Sequence, residues 1–188
     1  IMMREIASVL GDNTPAVYLI GSVALDDFRF GWSDIDLLVL TEREITGSQA
    51  DKLVKLRQSL SDRYPGNPYF RLFEGGMRSV DAFLNERNER TVYWGTSSQR
   101  IIDSYKLDSF GMKILLDKGK LLHGHDHRDK MTGPTYAQMR DDVKSHAQTA
   151  RKHGLSVGWL LDMARCLHTL RTGQLTSQTP PSESALAD

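Results

Sequence analysis

The sequence of 188 residues predicts an α+β fold, with a small mixed β-sheet and flanking helices over residues 1–95 and a C-terminal helical domain over residues 96–188. Three observations predict this organisation. Apolar residues recur at helical spacing near the N-terminus, short β-rich runs alternate with a helical segment up to about residue 90, and helical spacing dominates after about residue 105. The length is sufficient for one ordinary domain or two small ones.

The first elements follow from spacing and from local stop signals. Apolar residues between Met2 and Leu10 predict a helix that Gly11 ends. The runs "AVYLIGS" and "DIDLLVLT" predict strands that are buried on at least one face. Ser48, with Asp51 three residues later, predicts the capped start of the next helix.

The later elements change in character. "PYFRLFEGGMRSVDAFLN" alternates like extended chain, and Gly75 with Gly76 predicts a hairpin turn or a bulge within it. Beyond it, the apolar residues from Leu160 to Leu170 share one face of a helix that Gly173 ends. The boundary between the sheet region and the helical domain is expected between residues 88 and 105.

Composition excludes several classes of protein. Lys and Arg together number 24, as do Asp and Glu, and this balance argues against wholesale binding of duplex nucleic acid. Cys166 is the only cysteine and cannot form an internal disulfide. The N-terminal segment is too charged for a signal peptide, and no apolar run approaches the length of a membrane span. We therefore expect a cytoplasmic protein with no membrane partner.

Two carboxylates lie at the start of an apolar strand. Residues i and i+2 of a strand point to the same face, so Asp34 and Asp36 project together. Ionised carboxylates that share one face repel each other, and a hard cation such as Mg²⁺ offsets that repulsion. Gly21 lets a phosphate approach the backbone, and Ser22 supplies a hydroxyl beside it.

A third acid is predicted for the same site. Asp81 lies in "RSVDAFL", which reads as an apolar strand, and three converging carboxylates would hold two metal ions for nucleotidyl displacement. The sequence leaves Glu74 open between facing the active site and lying at a hairpin. No basic or aromatic groove signals a nucleic-acid template.

At this point the motifs resemble a known family. "GSVALDDFRFGWSDIDLLVL" is similar to the signature of the polymerase-β-like nucleotidyltransferase superfamily. The resemblance implies a nucleotidyltransferase fold, two Mg²⁺ ions and ATP as substrate. It also implies that Gly21 and Ser22 bind the triphosphate and that Asp34, Asp36 and Asp81 are catalytic metal ligands.

A narrower resemblance covers most of the chain. "SDIDLLVL", "RSVDAFL", "LLDKGKLLHG" and "LLDMARCLHTLRTGQL" are similar, in that order, to landmarks of aminoglycoside adenylyltransferases of the streptomycin/spectinomycin type. This resemblance implies transfer of AMP to a hydroxyl of a small molecule, with the acceptor bound between the two domains. In those enzymes the third acid is a glutamate that acts as catalytic base, whereas the matching motif here holds Asp81.

Alternatives remain at the level of function and of single residues. A protein-modifying or antitoxin-type nucleotidyltransferase, and a catalytically degenerate nucleotide-binding module, fit the same motif. Three alternating histidines in "HGHDH" are expected in a solvated turn rather than at a zinc site. Trp94 is expected to pack rather than to bind ligand, and Asp162 with Arg165 to form a surface pair at spacing i,i+3.

Overall fold

The sheet is built from both halves of the chain. The computed structural model describes residues 1–96, 98–153 and 157–176. Its elements, in chain order, are α1 (Met2–Leu10), β1 (Pro15–Leu19), α2 (Gly21–Ala24), β2 (Ile35–Thr41), α3 (Gly47–Arg63), a 3₁₀ turn (Pro68–Leu72), β3 (Phe73–Ser79), α4 (Val80–Leu84), β4 (Thr91–Trp94), β5 (Gln99–Ile102), α5 (Ser109–Asp117), β6 (Lys120–His123), a 3₁₀ turn (Arg128–Lys130), α6 (Tyr136–His153) and α7 (Val157–Thr172).

A six-stranded mixed sheet forms the centre, in the order β5-β4-β3-β2-β1-β6. The β2–β3 pair is parallel, and the other neighbours are antiparallel. Strands β5 and β6 come after residue 95, so the sheet extends past the predicted boundary at 95/96. None of the helices in the described ranges combines the length and the apolar character that a bilayer crossing needs.

Alternation along β2 divides the core between the two faces of the sheet. Leu37 and Val39 pack with residues of α1 and α3 on one face. Leu38 and Leu40 pack on the other face, against Ile114 of α5. A smaller cluster joins α5 to α6 and α7. Asp34 and Asp36 lie four and two residues before Leu38, so their side chains project to the same face of the sheet as Leu38, the face that α5 covers.

The turn chemistry differs from the sequence expectation at two places. Thr46, not Ser48, caps α3: its hydroxyl accepts from the Gln49 amide, and the Gln49 side chain accepts from the Thr46 amide. Gly75 and Gly76 form neither a hairpin nor a bulge, because both lie inside β3 and pair with β2 in continuous register. At Gly75, where φ is 134°, a Cβ would overlap the Leu37 carbonyl oxygen.

Trp94 packs in the core, as the sequence analysis favoured. Its side chain is buried within the cluster beneath α3. The indole N–H donates to the Leu53 carbonyl oxygen at 2.9 Å. A buried Trp is normally stabilised by such a partner. Trp94 therefore ties β4 to α3 and does not face a ligand.

Candidate active site

Three carboxylates meet where β2 and β3 begin. Asp34 directly precedes β2, and Asp36 is its second residue. The parallel register places Asp36 beside Glu74. Residues that are paired in register project to the same face. The acids that the fold brings together are therefore Asp34, Asp36 and Glu74.

The pKa of Asp36 is raised, mainly because its carboxyl is buried. Burial and the neighbouring Asp34 carboxylate raise it to about 6, with Arg165 opposing the shift. Burial also raises the pKa of Asp34, against the pull of Arg57. Two neighbouring carboxyl groups provide oxygen ligands and negative charge, and hard divalent cations prefer both. The residues present thus fit Mg²⁺.

Folding stability depends on the ionisation of Asp36. Its folded pKa of about 6 lies above the ordinary value of 3.8, so the folded protein holds this proton more tightly than the unfolded chain does. Stability from this group is complete below about pH 4 and is lost as the pH rises through about 6. Since one pKa unit is worth about 1.4 kcal/mol, the ionised carboxylate lowers the free energy of unfolding by about 3 kcal/mol when no cation is bound.

The pKa of Glu74 is also raised. Burial raises the pKa of its carboxyl, the Asp34 and Asp36 carboxylates add to the rise, and Thr96 and Arg57 oppose it. Its Oε1 atom is buried and accepts no hydrogen bond from any residue that the structure describes. A buried carboxylate oxygen without a partner costs free energy unless a proton, a cation or a ligand satisfies it. Glu74 is therefore poised to accept a proton.

The Gly-Ser turn lies directly against the acids. Gly21 opens α2 with φ of +65°, and a Cβ at this position would overlap the Asp36 carboxylate. The Ser22 hydroxyl donates to the Asp34 carbonyl oxygen at 3.4 Å, and the Ile20 amide donates to the Asp36 carbonyl oxygen at 3.0 Å. The structure thus brings together four of the five site residues that the sequence predicted.

Asp81 lies apart from this group. Strand β3 ends at Ser79, whose hydroxyl accepts from the Ala82 amide at 3.1 Å and so caps α4. The expectation that Asp81 lies within a strand is wrong, because this cap turns the chain into a helix. The Asp81 carboxylate is 60% exposed, pairs with Arg87 and accepts from the Asn85 amide at 2.8 Å. It is not among the charges that shift the pKa values of the clustered acids.

Arg57 is a site residue that the sequence analysis did not single out. It lies on the buried face of α3, four residues after Leu53. A cationic residue among the apolar residues of that face is the sequence signal that could have identified it. Its guanidinium donates to the carbonyl oxygens of Phe73 at 2.6 Å and Gly95 at 2.8 Å. The same group is close enough to Glu74 and Asp34 to lower the pKa of each. It provides fixed positive charge behind the acids.

A cleft of about 770 Å³ opens in front of Asp34 and Asp36. The Gly-Ser turn and the loop before β2 line one side, and residues of α5 and α7 line the other. Arg165 of α7 lines it and pairs with Asp162 at 2.5 Å, so the predicted i,i+3 pair forms. The expectation that this pair lies on the surface is wrong, because both side chains are less than one-fifth exposed. Trp32 also lines the cleft, with 82% of its surface exposed.

Comparison with known proteins agrees with this geometry. Residues 3–69, which include the Gly-Ser turn and both β2 acids, match the family model described as a nucleotidyltransferase domain. The chain contains a nucleotidyltransferase domain. This finding confirms the enzyme class and the polymerase-β-like superfamily that the resemblance of the motif with Gly21, Ser22, Asp34 and Asp36 implied. A search of the curated proteins gives no significant sequence match.

The fold extends this likeness over the whole chain. The crystal structure of spectinomycin adenyltransferase AAD(9) from Enterococcus faecialis, solved with ATP and spectinomycin, aligns with 99% of this chain and 80% of its own chain. The TM-score is 0.68 and the sequence identity is 14%. Likeness at this identity shows a shared fold, so the predicted nucleotidyltransferase architecture is confirmed.

Proposed function

We propose that this nucleotidyltransferase moves AMP from ATP to a hydroxyl group of a small molecule. The observation that carries the proposal is the convergence of Asp34, Asp36 and Glu74, with the two aspartates lining the cleft beside the Gly21-Ser22 turn. The acceptor oxygen attacks the α-phosphorus, the bond to the bridging oxygen breaks, and pyrophosphate leaves. The proton of the acceptor hydroxyl must go to a base at the same site.

Glu74 is the base in this proposal, in place of Asp81. Its side chain is half-buried, its buried Oε1 atom has no hydrogen-bond partner among the described residues, and burial raises its pKa. A carboxylate in that state accepts a proton more readily than an exposed one. Asp81, in contrast, is 60% exposed and pairs with Arg87.

The other residues divide the remaining work. Asp34 and Asp36 would hold two Mg²⁺ ions, which when bound supply neutralisation of the triphosphate charge. Gly21 leaves room for the approach of a phosphate, and Ser22 adds a hydroxyl donor. Arg165 carries positive charge on the opposite wall of the cleft. The chain's own groups thus orient the triphosphate between the two walls.

The identity of the acceptor is inferred from the shared fold. Once Asp34 and Asp36 are assigned to Mg²⁺, the cleft lining keeps two acidic and two basic side chains, Asp27 and Asp108 against Arg29 and Arg165, so its remaining charge is balanced. The similar adenyltransferase was solved with ATP and spectinomycin, which supports an aminoglycoside or a related antibiotic as the acceptor.

A screen of acceptors tests this function. Purified protein with Mg²⁺ and ATP is offered a panel of hydroxyl-bearing amines, aminoglycosides and spectinomycin first, and pyrophosphate release is measured. We expect release that depends on both the acceptor and Mg²⁺, and that is abolished in Asp34→Asn and Asp36→Asn. Full activity in either variant would refute the proposal. Binding of ATP without release, for any acceptor, would instead favour the degenerate module.

A further inference from the structure

A row of alternating charges crosses the three helices on the far wall of the cleft. Asp108 caps α5, His146 lies on α6, and Asp162 and Arg165 lie on α7. The His146 Nε2 atom is 3.2 Å from an Asp108 oxygen, and its Nδ1 atom is 3.0 Å from Asp162 Oδ2. The four side chains are between 18% and 34% exposed. His146 therefore joins the other two helices through its ring.

The arrangement requires a charged imidazole. Each ring nitrogen faces a carboxylate oxygen, and only the imidazolium donates from both nitrogens. Hydrogen bonds to Asp108 and Asp162 raise the pKa of His146 to about 12. Bonds between charged groups in a low-dielectric setting are the strong ones. The imidazolium is thus a fixed cation at neutral pH.

The two oxygens of Asp162 have different partners. Oδ2 faces His146, and Oδ1 accepts from Arg165 Nη2 at 2.5 Å. The Arg165 Nε atom is buried and has no acceptor within the described ranges, and the guanidinium lies near enough to Asp36 to lower its pKa. Without His146, both oxygens of Asp162 become open to Arg165 as a two-pronged fork. That pairing would compete with the orientation of the Arg165 guanidinium toward Asp36.

We propose that His146 is a positioning residue, which holds Asp162 against Asp108 so that Arg165 presents its guanidinium to the triphosphate side of the cleft. The inference rests on the proposed function, because it assumes that ATP is the ligand opposite Asp36. His146 itself is absent from the cleft lining. It acts through Arg165 and contacts no reacting atom.

A metal site is the competing interpretation of the same residues. Ligand atoms of His146, Asp162 and Cys166 lie within 4.8 Å of one another, the one such group of three in the part of the chain that the structure describes. An imidazolium that donates from both nitrogens cannot bind a metal ion through either. Arg165 and the imidazolium also balance the charges of Asp108 and Asp162. The geometry therefore favours the ion-pair network.

The test is a double-mutant cycle on ATP binding. Binding of ATP with Mg²⁺ is measured by calorimetry, and the KM for ATP and kcat by pyrophosphate release. The variants are His146→Ala, Arg165→Ala and the double variant, with His125→Gln as a control in an exposed loop. We expect about a tenfold weaker affinity for ATP in His146→Ala, a loss typical of a hydrogen bond to a charged group, with little change in kcat. The double variant should bind no more weakly than Arg165→Ala alone.

The outcomes separate this inference from the proposed function. Additive losses in the cycle, or unchanged ATP affinity in His146→Ala, overturn the positioning role while the transferase remains active. Failure of the wild type to bind ATP overturns the proposed function itself. If His146→Ala does not fold, His146→Gln, which loses the charge and one of the two donors, enters the same cycle. Stoichiometric zinc in the purified protein, lost in either His146 variant, supports the metal interpretation and overturns ours.

Discussion

Replacing Glu74 by Gln, with Asp81→Asn as its matched control, decides which acid serves as the base. Both changes remove one negative charge and preserve the shape of the side chain. Loss of a general base typically costs about 10²- to 10⁴-fold in rate, or about 3–5 kcal/mol of transition-state stabilisation. We expect a loss of that size in kcat for Glu74→Gln. Asp81→Asn should leave kcat unchanged, because the Asp81–Arg87 pair is more than half exposed and Asp81 is not among the charges that act on the clustered acids.

The stability of the two variants distinguishes loss of chemistry from loss of fold. Burial and the repulsion from Asp34 and Asp36 raise the pKa of Glu74, so a neutral amide removes an unfavourable charge at neutral pH. Glu74→Gln should therefore unfold at the same or a higher urea concentration than the wild type. Asp81→Asn should lose at most about 1 kcal/mol, the range of surface ion pairs. Steady-state pyrophosphate release and urea titration are the measurements. A slow Asp81→Asn enzyme beside a fully active Glu74→Gln enzyme would refute the reasoning.

Three further changes test the geometry of the site. Raising the pH from 5 to 8 without Mg²⁺ should lower the free energy of unfolding by about 1.4 kcal/mol, because about half of the full loss has already occurred at pH 5, and Asp36→Asn should remove most of this dependence, as measured by urea titration. Gly21→Ala should abolish pyrophosphate release because its Cβ overlaps the Asp36 carboxylate, whereas Gly11→Ala, with φ of +55° and open space around it, should only destabilise by about 1–2 kcal/mol; equal activity in the two would contradict this. Trp32→Ala should leave the unfolding midpoint unchanged, since the side chain is 82% exposed, while it weakens ligand binding by calorimetry; unaltered binding would remove Trp32 from the site.

The residues of the candidate site that the sequence brought together lie within one turn and one strand. Gly21, Ser22, Asp34 and Asp36 are close in the chain, and strand periodicity alone brings the two aspartates to one face. The family-model match ends at residue 69, before the next strand begins. Everything beyond that point depends on register between strands, which no local pattern specifies.

The third acid shows why the rest was hidden. "RSVDAFL" is a short apolar run, and such a run fits a strand or a helix equally well. The run forms a helix because the Ser79 hydroxyl accepts from the Ala82 amide and so caps the start of α4. Two adjacent glycines beside Glu74 suggested a turn, but Gly75 lies against the backbone of β2 and Gly76 against the ring of Tyr105. Only tertiary packing makes glycine a strand residue there.

Long-range contacts also explain why the sequence did not identify the cationic residues of the candidate site. Arg57 and Arg165 each lie on a helix that the sequence predicted, yet their partners come from distant parts of the chain. Helical spacing shows which residues share a face, but not which loop or strand lies opposite that face. The position of Arg165 at the cleft, and its connection through Asp162 to His146, required the fold.

The order of the strands bears on how this protein can be dissected or recombined. Strand β5 covers one edge of the sheet and β6 the other, and both follow residue 95. A fragment that ends at residue 95 would expose the backbone of β4 and β1 along both margins, and unpaired margins promote aggregation. Chimeras that exchange the C-terminal helices should therefore join after His123, where the sheet is complete.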